Sequence, residues 1–276
     1  MKIKNIAILG SSGFLGSNLE IALINGGFNV LSISSKKDSQ SIFWDYEGRP
    51  PKEALECDLI IDCARSLNPY KNLKKSKILS SNIPKEGKYL FISSSAVNKR
   101  SKNDIFFKGD DYIREKKKIT RIIKKKENCF AIFPDIILGE YGNWTTLISE
   151  IKTKKRVYLP FSGNKLANTI EIKSLCNQIV NGIQTLKIFG NGFSIKHKPI
   201  PWKSLINRDI CNLNSTNLYF DNVIKNSFIY LLNSHLIPDY INYSAMLLLR
   251  KKQSSSVVKG EDFIPSGMTR FYMSLE

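Results

Sequence analysis

Residues 5–16 read NIAILGSSGFLG, an apolar run followed at once by Gly10, Gly13 and Gly16 at G-x-x-G-x-x-G spacing. Glycine is required where a strand turns sharply into a helix and where backbone must approach a ligand closely. The residues that follow, FLGSNLEIALINGG, keep a helical pattern and end in glycines. A strand, a glycine turn and a helix in that order form a pyrophosphate cradle, because the amides at the helix start face the phosphates. Gly10, Ser12, Gly13, Phe14, Leu15 and Gly16 are therefore the expected cofactor contacts of this turn.

The rest of the first half keeps the same rhythm. Apolar runs recur at NIAILG, NVLSIS, LIIDCA, YLFISSS and CFAIFPDIIL, with helical patterns at 14–26, 53–57, 70–82 and 111–127. Continuously apolar strands alternating with helices predict a parallel sheet covered on both faces, an α/β, Rossmann-type doubly wound fold. Beyond residue 140 the rhythm loosens. A helix is expected over 144–153, then the short run VYLP, a Gly/Asn turn at 163–164, and a strand running into a helix within NTIEIKSLCNQIVNGI with Ser174 as its cap. Residues 190–215 read as loops and short strands, and 216–250 as two helices separated near Pro238. The expected division is a dinucleotide-binding domain over 1–185, with 141–165 contributing to a substrate cleft, and a small C-terminal substrate-binding region over 186–276.

The chain carries 42 Lys and Arg against 24 Asp and Glu, a net charge of +18. Such a balance attracts polyanions. The lysines are not interleaved with the aromatic platforms that single-stranded nucleic acid stacks on, so nucleic acid is not the expected partner. Five cysteines, Cys57, Cys63, Cys129, Cys176 and Cys211, lack C-x-x-C spacing and read as reduced thiols. His197 and His235 stand far apart, and no metal site is expected. No stretch reaches the roughly 20 uninterrupted apolar residues of a spanning helix. The expected location is the cytoplasm.

A carboxylate usually ends the second strand when the cofactor carries a free ribose 2′-hydroxyl. Here the strand runs into Ser34, Ser35, Lys36 and Lys37. Hydroxyls with cations suit a 2′-phosphate, so NADP is favoured over NAD.

Residues 110–129, DDYIREKKKITRIIKKKENC, look at first like a basic arm. At about 100° per residue, Tyr112, Lys116, Ile119 and Ile123 fall within roughly 60° of one another. Arg114, Lys117, Lys118, Arg121, Lys124 and Lys125 gather on the opposite face. Most of the charge is thus a solvent face, but Lys116 sits among inward residues and needs a partner there.

The glycine turn, the strand ending ISSSAV and Tyr112-Ile-Arg-Glu-Lys116 together resemble the extended short-chain dehydrogenase/reductase family. The closer similarity is to its NAD-dependent epimerase/dehydratase group acting on nucleotide sugars. The resemblance covers about residues 3–185 and is strongest at the glycine turn and over Ser95–Lys116. It implies Ser95, Tyr112 and Lys116 as catalytic residues, with Ser94 as the alternative to Ser95. Tyr112 would be general acid or base, Ser95 would bond the same substrate oxygen, and Lys116 would lower the phenol pKa and hold the nicotinamide ribose. The resemblance also implies Cys63, Ala64 and Arg65 on the adenosine side and Pro134 beside the nicotinamide. Asn72 is read either as a proton-relay asparagine or as a solvent residue.

The chain departs from the family pattern at Cys63, Arg65, Asn98, Lys99, Phe133 and Leu138. Asp104, Asp110 and Asp111 do not reproduce the acid pair of a dehydratase, which favours an epimerase or a reductase. The expected partner is a small-molecule substrate, a nucleotide sugar, and a homodimer stays open. The alternative function is a non-catalytic NAD(P)-binding regulator or scaffold on the same fold.

Overall fold

Side chains alternate across a strand, and the strands of this chain send apolar residues to both sides. The computed structural model describes residues 2–36, 40–66, 68–98, 111–153, 166–190, 193–201 and 204–205. In chain order the elements are β1 (Asn5–Leu9), α1 (Phe14–Asn25), β2 (Asn29–Ser34), β3 (Ile42–Phe43), α2 (Lys52–Leu55), β4 (Leu59–Asp62), α3 (Pro69–Asn82) and β5 (Lys88–Ile92). They continue with α4 (Asp111–Ile123), β6 (Cys129–Ile132), β7 (Ile136–Leu138), α5 (Asn143–Thr153), β8 (Leu166–Glu171), α6 (Ile172–Gln184) and β9 (Lys198–Pro201). The main sheet has the order β3-β2-β1-β4-β5-β6 with every pairing parallel. This is a Rossmann-type α/β sheet, and its order reverses direction between β1 and β4, where such folds bind ligands.

Ile6, Ile8, Leu59, Ile61, Leu90 and Ile92 face α1 and α6, packing on Leu19, Leu23, Leu175, Ile179 and Ile183. Ala7, Leu9, Ile60, Tyr89 and Phe91 face the other way, onto Leu79 of α3 and Ile119 and Ile123 of α4. Each fully buried aliphatic side chain contributes about 1.5–3 kcal/mol. The helix starts follow local rules. At α3 the Asn68 side chain accepts from the Tyr70 amide and Pro69 occupies the first turn.

Two expectations are corrected. The run CFAIFPDIIL is two strands in different sheets, β6 and β7, because the Pro134 break lets the chain leave the main sheet. β7 pairs parallel with β8, and β9 pairs antiparallel with β8, forming a second sheet. Ser174 does not cap α6, since the helix starts directly at the end of β8 with Glu171 in the cap position. The short β3 was missed because two residues carry no period. The run VYLP, the turn at 163–164, the helices expected over 216–250, Lys37, Cys211 and His235 lie outside the described residues. Among the described residues no helix is long and apolar enough to cross a membrane.

Beneath the β4 end lies a buried ion pair. Lys75 Nζ is 2.6 Å from Asp62 Oδ1, with both side chains almost fully enclosed. Lys75 also donates to the Ala64 carbonyl at 2.6 Å, and the Tyr89 hydroxyl donates to Asp62 Oδ2 at 2.7 Å. Burial and the Asp62 charge push the Tyr89 phenol well above its ordinary pKa, so it remains a donor. Removing one member of such a pair leaves an unpaired buried charge. Asp62→Ala should cost about 3–5 kcal/mol in urea unfolding, and Asp62→Leu combined with Lys75→Met should cost much less.

Candidate active site

Gly10 leaves β1 with φ +80°, a left-handed conformation that glycine adopts without strain. A Cβ there would sit 2.7 Å from the Ala64 Cα. A Cβ on Gly16 would overlap the Gly10 carbonyl, so the first turn of α1 packs directly on the strand end. The Gly10 amide bonds Ile33 O at 2.8 Å and the Gly13 amide bonds Gly10 O at 3.0 Å. Gly13 stands at the start of α1 and no side chain caps the helix. A bare helix start behind a glycine turn fits a pyrophosphate, because its amides lack intrahelical acceptors.

Ser34 ends β2 fully buried, and its Oγ is 2.9 Å from Ser12 Oγ. Ser35 and Lys36 are exposed beside it. Tyr46, absent from the sequence reading, lies buried beside Ser35 and Gly10. Burial and the Asp62 charge push its phenol up to about 12. Cys63, Ala64 and Arg65 follow β4, and the Cys63 amide bonds Leu9 O at 3.0 Å. Burial raises the Cys63 thiol far above its ordinary pKa, as it does for Cys176 to about 12, so both are inert thiols.

The serine run splits by direction. Ser93 Oγ lies 3.1 Å from Thr120 Oγ1 of α4, whereas Ser95 opens a 3₁₀ turn and donates its hydroxyl proton to Asp135 Oδ1. Ser95 N bonds the carbonyl of the buried Pro134 at 3.0 Å. Lys116 is 8% exposed on α4, and this burial agrees with the helical geometry of the sequence. Its ammonium donates to Ile92 O at 2.8 Å and lies 4.5 Å from the centre of the Phe91 ring. Tyr112 stands one turn earlier on the same helix; its side chain lies outside the described residues.

Two further groups, Glu115 and Asp135, were missed by sequence reasoning, and Asn72 was left between two readings. Asn72 is buried at 3% exposure, not in solvent, and exchanges two 2.7 Å hydrogen bonds with the Ser66 backbone. Glu115 is buried beside it. Asp135, between Pro134 and β7, receives Ser95, while its amide donates to His197 Nε2 at 2.9 Å. The Pro-Asp break in an apolar run was the available signal for Asp135. An open groove of about 960 Å³, lined by residues including Asn18, Glu140, Glu171, Ser174 and Asn177, lies on the α1–α6 side. Lys116 comes from α4 on the other side. Among the described residues no acidic, histidine or cysteine cluster could hold a metal ion.

Burial pushes the Glu115 carboxyl up, against the opposing pull of the Asn72 side chain and of Arg65, Lys116 and Lys75. A carboxyl whose folded pKa exceeds its unfolded value binds its proton more tightly in the fold. Its contribution is fullest below the unfolded pKa and is lost as pH rises through the folded one. Glu115→Gln should therefore raise the urea midpoint at pH 7, and the gain should vanish below about pH 4.

No protein-family model and no curated protein matches the chain. Solved structures do match. A human epimerase family protein with NADPH aligns at 16% identity over 67% of this chain and 71% of that one, with TM-score 0.51. The dTDP-glucose 4,6-dehydratase of Bacillus anthracis in complex with NAD aligns at 14% identity over 74% and 79%, with TM-score 0.56. The UDP-N-acetylglucosamine 4-epimerase of Bacillus cereus aligns at 13% identity over 74% and 82%, with TM-score 0.54. The chain thus shares the Rossmann-type fold of extended short-chain dehydrogenase/reductase and epimerase/dehydratase structures, at identities that establish the fold alone.

Proposed function

We propose that this chain is an NAD(P)-dependent epimerase, dehydratase or reductase of nucleotide sugars, working through Ser95, Tyr112 and Lys116. The observation that carries the reading is convergence. The Gly10–Gly16 turn, Ser95 and the Lys116 ammonium gather along the carboxyl ends of β1 and β5 in one parallel sheet. Proteins with this fold bind NAD or NADPH according to their descriptions, which supports the same cofactor class here.

The glycine turn and the bare start of α1 hold the pyrophosphate through Gly13, Phe14, Leu15 and Gly16. Ser35 and Lys36 meet the adenosine ribose, and the Lys36 cation favours the 2′-phosphate of NADP. Ser34 acts from beneath, fixing Ser12 in the turn. Cys63, Ala64 and Arg65 line the adenosine side, and Pro134 borders the nicotinamide. The dinucleotide domain of this reading is residues 1–185; residues 206–276 lie outside the described residues.

The nicotinamide, when bound, supplies the hydride acceptor or donor. The protein handles the proton. Tyr112 takes it from a substrate hydroxyl or returns it to a carbonyl, with Ser95 bonded to the same oxygen. Lys116, oriented by the Ile92 carbonyl, holds the nicotinamide ribose and favours the tyrosinate.

Mass spectrometry of the denatured protein should find a released dinucleotide, and titration should give tighter binding of NADPH than of NADH. Tyr112→Phe should lower turnover on a nucleotide-sugar panel by about 10²-fold or more while leaving NADPH affinity within about twofold. Failure to bind either dinucleotide would sink the reading. Binding without turnover by the unaltered protein would instead identify a regulator or scaffold.

A further inference from the structure

Helices α3 and α4 lie side by side on one face of the main sheet, and α1 and α6 cover the other. The two faces differ in charge. α1 carries Glu20 and no cation, and α6 carries Lys173 with Glu171 at its cap position. On α3, Lys71, Lys74 and Lys77 are exposed, and Lys71 pairs with Glu47 at the edge of the face. On α4, Arg114, Lys118 and Arg121 are exposed, and Lys124, Lys125 and Lys126 continue the run in the turn that follows. Among the described side chains of α3, α4 and this turn, Glu127 is the one exposed carboxylate. A merely lysine-rich composition would spread its cations over both faces. Here they gather on one.

Each helix concentrates the charge further. At about 100° per residue, Arg114, Lys118 and Arg121 fall within roughly 60° of one another, and so do Tyr70, Lys74 and Lys77. Arg114 with Lys118, and Lys117 with Arg121, are like charges one turn apart, an arrangement that weakens a helix. A layer of negative charge against the face relieves this repulsion, whereas a second copy of the same face would add to it. The fitting occupant is therefore an anion of large area.

Its chemistry follows from the side chains. The cations are mostly Lys, point charges without the planar fork that Arg brings to a single phosphate or a base. Single-stranded nucleic acid stacks on a series of aromatic rings. Among the described residues of these helices the one large exposed ring is Tyr70, at 83% exposure. One tyrosine among lysines suits the headgroup layer of a bilayer, where an aromatic ring with a polar tip is favoured. Clusters of roughly four to eight Lys or Arg on a helix are sufficient to hold a protein to acidic lipids.

We propose that the α3–α4 face is a docking surface for an anionic bilayer, on which the protein lies peripherally, held by the cations of both helices with Tyr70 at headgroup depth. The inference does not depend on the reaction. Docking covers the outer side of α3 and α4, and the glycine turn lies at the start of α1, which belongs to the other face.

The test mixes the full chain with vesicles of phosphatidylcholine, alone or with phosphatidylglycerol, and measures the fraction that sediments with them. Binding is expected only with phosphatidylglycerol. It should fall as ionic strength rises from about 0.1 to 1 M, where the Debye length shortens from about 10 to 3 Å. Combined Lys74→Gln, Lys118→Gln and Arg121→Gln should weaken it by about 10²-fold, since each cation near such a surface contributes about fivefold. A charge-matched pair separates this face from net charge. Lys118→Gln with Arg121→Gln should weaken binding more than about tenfold, and Lys173→Gln with Lys187→Gln less than about twofold. All these positions are exposed, and an undiminished urea midpoint reports that each variant folds. No sedimentation with phosphatidylglycerol vesicles, or equal losses in the two double variants, overturns the inference. So does tighter binding to duplex DNA or poly(U) than to the vesicles at equal salt, which identifies a nucleic-acid surface. A dimer whose cross-links map to α3 and α4 also overturns it, since a second copy would then cover the face.

Discussion

The closest constraint in this molecule is backbone against backbone. Gly10 lies against Ala64, and Gly16 lies against the Gly10 carbonyl. No side chain fits at either position, so the turn after β1 can close only with glycine. The Gly10 amide ties this turn to the end of β2, and the Cys63 amide ties the end of β4 to Leu9. Three adjacent strand ends are thereby fixed in register, and the dinucleotide half of the candidate site is built on them.

The loop after β4 is held by polar groups that the core encloses. Lys75 reaches the Ala64 carbonyl, Asp62 accepts from the Ala64 amide at 3.1 Å, and Asn72 clasps Ser66 from α3. These contacts satisfy backbone that would otherwise be costly to bury. The ion pair also brings a cost of its own, because desolvating two charges offsets most of their attraction. Its consequence is geometric: the segment opposite the glycine turn is specified in one conformation. Tyr46 packs against the same pair, with the Lys75 ammonium 5.2 Å from the centre of its ring.

The parts of this architecture that the sequence showed most clearly are those with a period or an obligatory residue type. Strands β1, β2, β4 and β5 stood out as apolar runs, and Lys116 as a charge on the inward face of its helix. Its partner was less accessible to reading, because a backbone carbonyl such as that of Ile92 leaves no mark in the sequence. Asp62 and Lys75 are 13 residues apart, and their pairing depends on how α3 lies on the sheet. Asp135, Asn168 and His197 meet only because β7, β8 and β9 form a sheet of their own, a long-range arrangement with no local signature. Glu115 was hidden differently: its neighbours in sequence are mostly basic, and only burial singles it out.

These differences in legibility follow the seam between the two sheets. Ser93 bonds Ile132 at the last residue of β6, and two residues on Ser95 bonds Pro134, where the chain has already left the main sheet. The serine therefore straddles a boundary. Behind it, the parallel sheet fixes the glycine turn and Lys116, and the sequence there matches a recognisable pattern. Ahead of it, Asp135 is set by the second sheet, and Phe133 and Leu138 depart from that pattern on the same side. A fold arranged in this way can vary the surroundings of Ser95 through residues at 133–138, 168 and 197. The backbone contacts around Gly10 and Gly16 would be untouched by such changes.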